Sequence, residues 1–257
     1  MTAALAAVLV ATTTSCSHKI AITAHRGYWN CDEAGHAENS LKALELAQRE
    51  GFWGSEYDVH MTSDFVLIVH HDHEANGVNI QTHKYSDFDG YRLKNGEKMP
   101  TLEEYLTQAE KSGTVLVFEL KSQLDKAHED YMVDRCVEAL KNHGLYDPNK
   151  VIFLSGSLNI CQRLCAMCPG FTAQFLNGDL SPEELVANGV NGIDYNSSVY
   201  HKHPEWVKQA HKQGMKVNVW TVDSEDEIKE MIGLGVDCIT TNNPLLVRSI
   251  LKGREKR

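Results

Sequence analysis

The chain has 257 residues, 42% hydrophobic and 23% charged, with 18 Gly and only 6 Pro. That length and composition fit one large domain with a substantial core and exclude disordered, collagen-like and low-complexity architectures. Lys and Arg number 25 against 35 Asp and Glu, a formal charge of −10, which argues against a general nucleic-acid binder.

Residues 1–15 form an apolar stretch of small residues that runs up to Cys16. It is too short to span a bilayer and has no positive start. An apolar run ending in small residues before a cysteine resembles a bacterial lipoprotein signal, with Cys16 as the lipidated N-terminus. Residues 1–18 are therefore expected to be an export segment and 19–257 the folded domain. The protein is expected outside the cytoplasm, in the periplasm or at the cell surface, touching the membrane only through Cys16. A plain secretory signal or a cytosolic N-terminus is the alternative.

Short apolar, β-branched runs predict strands at 19–24, 55–59, 66–69, 114–120, 151–154, 171–175, 192–195, 216–220 and 237–240. Helical patterns lie between them at 41–50, from Pro100 onward, and at 127–143, 157–167, 182–188, 204–213, 224–234 and 244–251. Ser40 and Thr101 read as N-caps, Gly51 as a stop, and Pro182 and Pro204 suit a first helical turn. Strand then helix, repeated roughly eight times, predicts a (β/α)8 TIM barrel. An open doubly wound sheet is the alternative, but no G-x-G-x-x-G turn follows the first strand.

The runs at 55–59 and 66–69 are too close for a crossover helix and should form a hairpin. A turn centred on Ser63 and Asp64 opposes Glu56 to His71 and Asp58 to Val69, which puts Glu56, Asp58 and His71 on one face. Residues 73–99 lack periodicity and read as a small cap inserted into the barrel. Cys161, Cys165 and Cys168 share one helix face with no zinc-site spacing around them, so they read as small core residues.

In a barrel, reactive groups stand at the C-terminal ends of the strands. Those ends carry His25-Arg26-Gly27, Glu56-Tyr57-Asp58, His71-Asp72, Glu119-Leu120-Lys121 and Trp220. Glu56, Asp58 and Glu119 would converge, and three unpaired anions repel and resist ionising. One divalent cation with oxygen ligands, Ca2+ or Mg2+, relieves this better than zinc does. An ion-pair network with Arg26 and Lys121 is the alternative. His25 and His71 flank the cluster, one able to accept a proton while the other donates. Two bases, a cation and two positive side chains suit phosphodiester cleavage.

The ordered set HRG at 25–27, EN at 38–39, E-x-D-V at 56–59, T-x-D at 62–64, V-x-H-D at 69–72, P-T-L-E-E at 100–104 and F-E-L-K at 118–121 resembles the glycerophosphodiester phosphodiesterase family. The stretches 217–228 and 235–244 resemble its C-terminal signature. The resemblance covers residues 20–250. It implies a TIM barrel that hydrolyses small glycerophosphodiesters to sn-glycerol 3-phosphate and an alcohol, the substrate's neighbouring hydroxyl attacking phosphorus through a cyclic phosphate. It further implies His25 and His71 as the acid–base pair, Arg26 at the phosphate, Glu56, Asp58 and Glu119 as metal ligands with Lys121 beside them, and Trp220 on the glycerol-side wall. For Trp220, a plain core aromatic is the alternative. Where the family has a D-G turn, this chain has Asp64-Phe65. Two rivals stay open: a phosphodiesterase for lysophospholipids or glycerophosphoinositol, with Tyr85, Phe88 and Tyr91 forming a lipid tunnel, and a non-catalytic binder of phosphate esters.

Overall fold

The structure, a computed structural model, describes residues 19–255, so the expected export segment and Cys16 lie outside the described residues. Its first half runs β1 (Ala21–Ala24), α1 (Leu41–Arg49), β2 (Gly54–Met61), β3 (Leu67–Val69), the short β4 (Glu74–Ala75) and β5 (Val78–Asn79), α2 (Leu102–Ala109), β6 (Val115–Leu120) and α3 (Lys126–Asn142). The second half runs β7 (Val151–Ser155), α4 (Leu158–Met167), β8 (Thr172–Phe175), α5 (Pro182–Ala187), β9 (Gly192–Asn196), α6 (Ser197–Lys202), α7 (Glu205–Lys212), β10 (Lys216–Trp220), α8 (Glu225–Leu234), β11 (Cys238–Thr241) and α9 (Pro244–Glu255). Ser40 and Thr101 cap α1 and α2 as predicted, their hydroxyls accepting from the Ala43 and Glu104 amides. The short α6 was not anticipated, because six residues directly after a strand offer too few turns for a helical period.

Eight of these strands are parallel and close on themselves. Strand β1 pairs with β11 from Ala21↔Cys238 to Ala24↔Thr241 on one side and with β2 through Thr23↔Gly54 on the other. This is the expected (β/α)8 barrel. Strand alternation divides the side chains into two layers. Tyr57, Phe118 and Phe153 point outward to the helices, with the Tyr57 ring stacked on Tyr105 at 4.4 Å and Phe118 at 4.8 Å. Val115, Val117 and Leu154 fill the interior, and the inward positions above them on β2 and β6 carry Glu56, Asp58 and Glu119. Cys161 and Cys168 are buried and Cys165 is half-buried, as expected of core residues.

The hairpin corrects the predicted register. Val59 pairs with Val69 and Met61 with Leu67, one residue away from the expected Asp58–Val69 pairing. The turn is longer than a tight two-residue one: Thr62 N donates to Val66 O at 3.0 Å, and Phe65 turns the chain at φ +65°. Strict alternation would now set His71 opposite Tyr57, on the outer face. His71 escapes that fate because β3 ends at Val69, and only His70 N, donating to Asp58 O at 2.9 Å, prolongs the ladder. The cap after it holds the β4–β5 hairpin and its own apolar cluster, with Ile80, Phe88 and Met99 buried and Tyr85 and Tyr91 packed against them.

One glycine is required where the site begins. Gly27 has φ +79°, and a Cβ there would lie 2.7 Å from Ala43 Cβ and 2.9 Å from its carbonyl carbon in α1. Gly77 has a similar φ of +76° with nothing within 4 Å. Gly27→Ala is therefore expected to cost more than about 2 kcal/mol, and Gly77→Ala about 1 kcal/mol, since only the former adds a backbone clash to left-handed strain. Urea unfolding of the two variants checks this; equal losses would show that α1 moves away freely.

Candidate active site

The C-terminal mouth of the barrel holds a cleft of about 400 Å³ lined by His25, Glu56, His71, Glu119, Lys121 and Trp220. A larger cavity, about 530 Å³, lies at the opposite end around Trp53, Gln174 and Asn218, but no histidine lines it. The predicted residues thus meet at one place, and Arg26 and Asp58 complete the group.

Glu56, Asp58 and Glu119 each bring one carboxylate oxygen to within 4.8 Å of the others. Asp58 and Glu119 are direct partners in the β2–β6 register, so their crowding is built into the sheet. Lys121 Nζ lies 2.7 Å from both Asp58 Oδ1 and Glu119 Oε1. Asn39 Nδ2 donates to Asp58 Oδ2 at 2.8 Å, and the Arg26 amide donates to Glu56 Oε2 at 2.7 Å. The Arg26 guanidinium itself pairs with Glu38 and stands 3.9 Å from Asp58.

Positive charge is therefore short. One lysine serves two acids, Arg26 is shared with Glu38, and Glu56 Oε1 is buried without a hydrogen-bond partner. Burial, with the nearby Asp58 and Glu119 charges, holds the Glu56 carboxyl well above the usual range. Burial also lifts Glu119 to about 7 against the pull of Lys121, while Lys121 and His71 overcome burial at Asp58 and hold it low. An orphaned buried oxygen within an all-carboxylate donor set fits a hard divalent cation, and the triad could hold one.

The two histidines approach from different loops. His25 follows β1, with Nε2 4.0 Å from Glu56 Oε2 and Nδ1 2.9 Å from Asn242 Oδ1. Burial and the Arg26 charge push it down to about 4. His71 is more open, with Nδ1 2.7 Å from Asp72 Oδ1; burial lowers it too, against the opposing pull of Asp58. Trp220 lines the cleft half-buried, its indole N–H donating to Asp194 O at 3.0 Å.

Some members of the site had no role assigned from sequence. Glu38 and Asn39 were noted only within a motif, yet one holds Arg26 and the other Asp58. Asp223 and Asn242 fell inside the two C-terminal stretches, and periodicity carries no trace of the contact of Asn242 with His25 or of Asp223 with Asn242. Asp194, midway along β9, is buried with Oδ1 unpartnered and its carboxyl held well above the usual range by burial and Glu119.

A polar, histidine-flanked cleft at this end of a (β/α)8 barrel lies where barrel enzymes carry their active sites. Residues 25–246 match the model of the Glycerophosphoryl diester phosphodiesterase family. A crystal structure of a glycerophosphodiester phosphodiesterase from Parabacteroides distasonis is 40% identical, with a TM-score of 0.88 over 92% of this chain and 98% of its own. A glycerophosphodiester phosphodiesterase of Caldanaerobacter subterraneus subsp. tengcongensis is 28% identical over 91% of this chain and 99% of its own. At 22% identity, a phosphodiesterase of Oleispira antarctica in complex with the product sn-glycerol-3-phosphate shares the fold, with a TM-score of 0.76 over 90% of this chain and 96% of that one. The chain belongs to the glycerophosphoryl diester phosphodiesterase family and is a phosphoric diester hydrolase.

Burial lifts Glu119 to about 7 and, with the Asp58 and Glu119 charges, raises Glu56 well above its usual range, so a cation bound by these carboxylates would displace protons. Affinity for Ca2+ or Mg2+ is expected to rise between pH 6 and pH 8, and Glu56→Gln to weaken binding at least about tenfold. Calorimetric titration across that range checks both; pH-independent binding would place the ion elsewhere.

Proposed function

We propose that the protein hydrolyses small glycerophosphodiesters to sn-glycerol 3-phosphate and an alcohol, with Glu56, Asp58 and Glu119 holding one divalent cation, Ca2+ or Mg2+. The observation that carries this reading is the pair His25 and His71, both lining the cleft that Glu56 and Glu119 also line. His25, buried and proton-poor, takes the proton of the substrate hydroxyl beside the phosphate. As that oxygen bonds to phosphorus and closes a cyclic phosphate, the bond to the departing alcohol breaks, and His71 supplies the alcohol's proton. Water then opens the ring with the roles reversed. Arg26 and Lys121 face the phosphoryl oxygens, and a bound cation adds positive charge where theirs grows negative. Trp220, with Leu154 and Leu176, forms the apolar wall for the glycerol carbons.

The cap favours a water-soluble substrate over a lysolipid. Phe88 is only 5% exposed, and Tyr85 donates its hydroxyl to Met99 O at 3.3 Å, so both rings serve the core of the cap.

Release of glycerol 3-phosphate from glycerophosphoethanolamine tests the proposal. Activity is expected in wild type, falling at least about 10²-fold with chelator, in His25→Ala and in Glu56→Gln. With His25 neutral down to about pH 4 and His71 needing its own proton to act as the acid, rates at saturating cation should rise from pH 8 to pH 6 rather than halve near 6.5. No release with any divalent ion, alongside turnover of lysophospholipids, would transfer the chemistry to a lipid substrate; binding without turnover would leave a phosphate-ester binder. Export as a lipoprotein belongs to the same proposal: labelling with palmitate should occur in wild type and vanish in Cys16→Ser.

A further inference from the structure

Three successive strand-to-helix loops meet behind His25, those after β10, β11 and β1. They bring together Asp223, Asn242 and the histidine itself. Asp223 Oδ1 accepts from the Asn242 amide at 2.7 Å and from the Thr241 hydroxyl at 2.9 Å, while Asp223 Oδ2 accepts from Asn242 Nδ2 at 2.8 Å. A carboxylate facing those donors fixes which end of the Asn242 amide is nitrogen. The Trp29 indole gives an independent check: its N–H can only donate, and it stands 3.1 Å from Asn242 Oδ1. The oxygen end therefore faces His25 Nδ1 at 2.9 Å. An amide oxygen offers no proton, so that contact requires hydrogen on Nδ1. A neutral imidazole carries only one, which leaves the lone pair on Nε2, the nitrogen that faces the carboxylate cluster.

Resting on the reading of His25 as proton acceptor, we propose that Asn242, oriented by Asp223, is a positioning residue that holds His25 in its Nδ1–H form so that Nε2 is free to accept the substrate proton. An imidazole in water favours the opposite form, with hydrogen on Nε2, which cannot act as a base at that atom. The buttress reverses this preference before substrate arrives. It also places the ring, since Asn242 and Asp223 stand in the loops that follow the neighbouring strands β11 and β10.

Long-range proton–nitrogen NMR of the imidazole nitrogens at pH 7.5 tests this, with the His25 signals assigned by their loss in His25→Gln. Wild type is expected to show a protonated Nδ1 and a bare Nε2. Asn242→Ala removes the acceptor, so the Nε2–H form should appear, and kcat for glycerol 3-phosphate release should fall about 10²-fold with KM within about twofold. Asn242→Asp keeps an acceptor toward His25 while setting two carboxylates face to face. It should retain the Nδ1–H form and exceed Asn242→Ala in kcat by about tenfold, although it disturbs the Asp223 contact more. That rescue separates positioning of the histidine from mere support of the loop. A wild-type Nε2–H signal, or equal losses in the two Asn242 variants, would overturn the proposal. The NMR result stands without turnover, so a wild type that releases no product counts against the diesterase reading alone.

Discussion

Crowding of negative charge at one end of a closed barrel is the constraint on which this structure depends. The β2–β6 register sets Asp58 beside Glu119, and alternation along β2 points Glu56 to the same interior. Three acids so placed are not neutralised by the groups around them, because Lys121 is divided between two and the Arg26 guanidinium is shared with Glu38. Removing Lys121 leaves both Asp58 and Glu119 without their 2.7 Å partner, the arrangement that costs most in a low dielectric. The opposite faces of the same strands are largely apolar and packed under the helices. Tyr57 and Phe118, alternating with the acids, stack against each other and Tyr105 beneath the helices.

Backbone strain gathers around the same group. Arg26 and Asn39 both adopt left-handed φ values of +55°, uncommon for residues with a side chain. Each gains a contact by doing so: the Arg26 amide turns onto Glu56, and Asn39 reaches Asp58. Gly27, next in the chain, permits the close approach of α1 that brings Asn39 within range, and its own amide donates to Glu56 O. Strain of this kind persists only where surrounding packing over-determines it. Here the surrounding packing is the barrel wall.

The cap and the histidine buttress divide the remaining work. The cap follows His71 and keeps most of its rings in its own core, which leaves the mouth polar. On the other side, Asp223 and Asn242 tie His25 to the ends of β10 and β11. The two histidines are thus held by unlike means, a neutral amide for one and the adjacent Asp72 for the other. In the proposed mechanism, such unlike surroundings would separate a proton acceptor from a proton donor in a single cleft.

Local chemistry determined much of this protein without help from the fold. Branched apolar runs, capping residues such as Ser40 and Thr101, and the repeat of strand and helix made the barrel legible, because these preferences act over a few neighbouring residues. The ordered acids and histidines at strand ends were legible for the same reason. Tertiary structure decided what depends on distance across the barrel: the one-residue shift of the β2–β3 hairpin around Phe65, the sharing of Lys121 between two strands, and the reach of Asn242 from β11 to His25. His71 shows the difference most clearly. Its place in the cleft was anticipated from strand alternation, yet it arrives there because the strand stops at Val69. A pattern along the chain records which face a residue takes while a strand lasts; where the strand ends, and what waits across the barrel, is set by the packing of the whole.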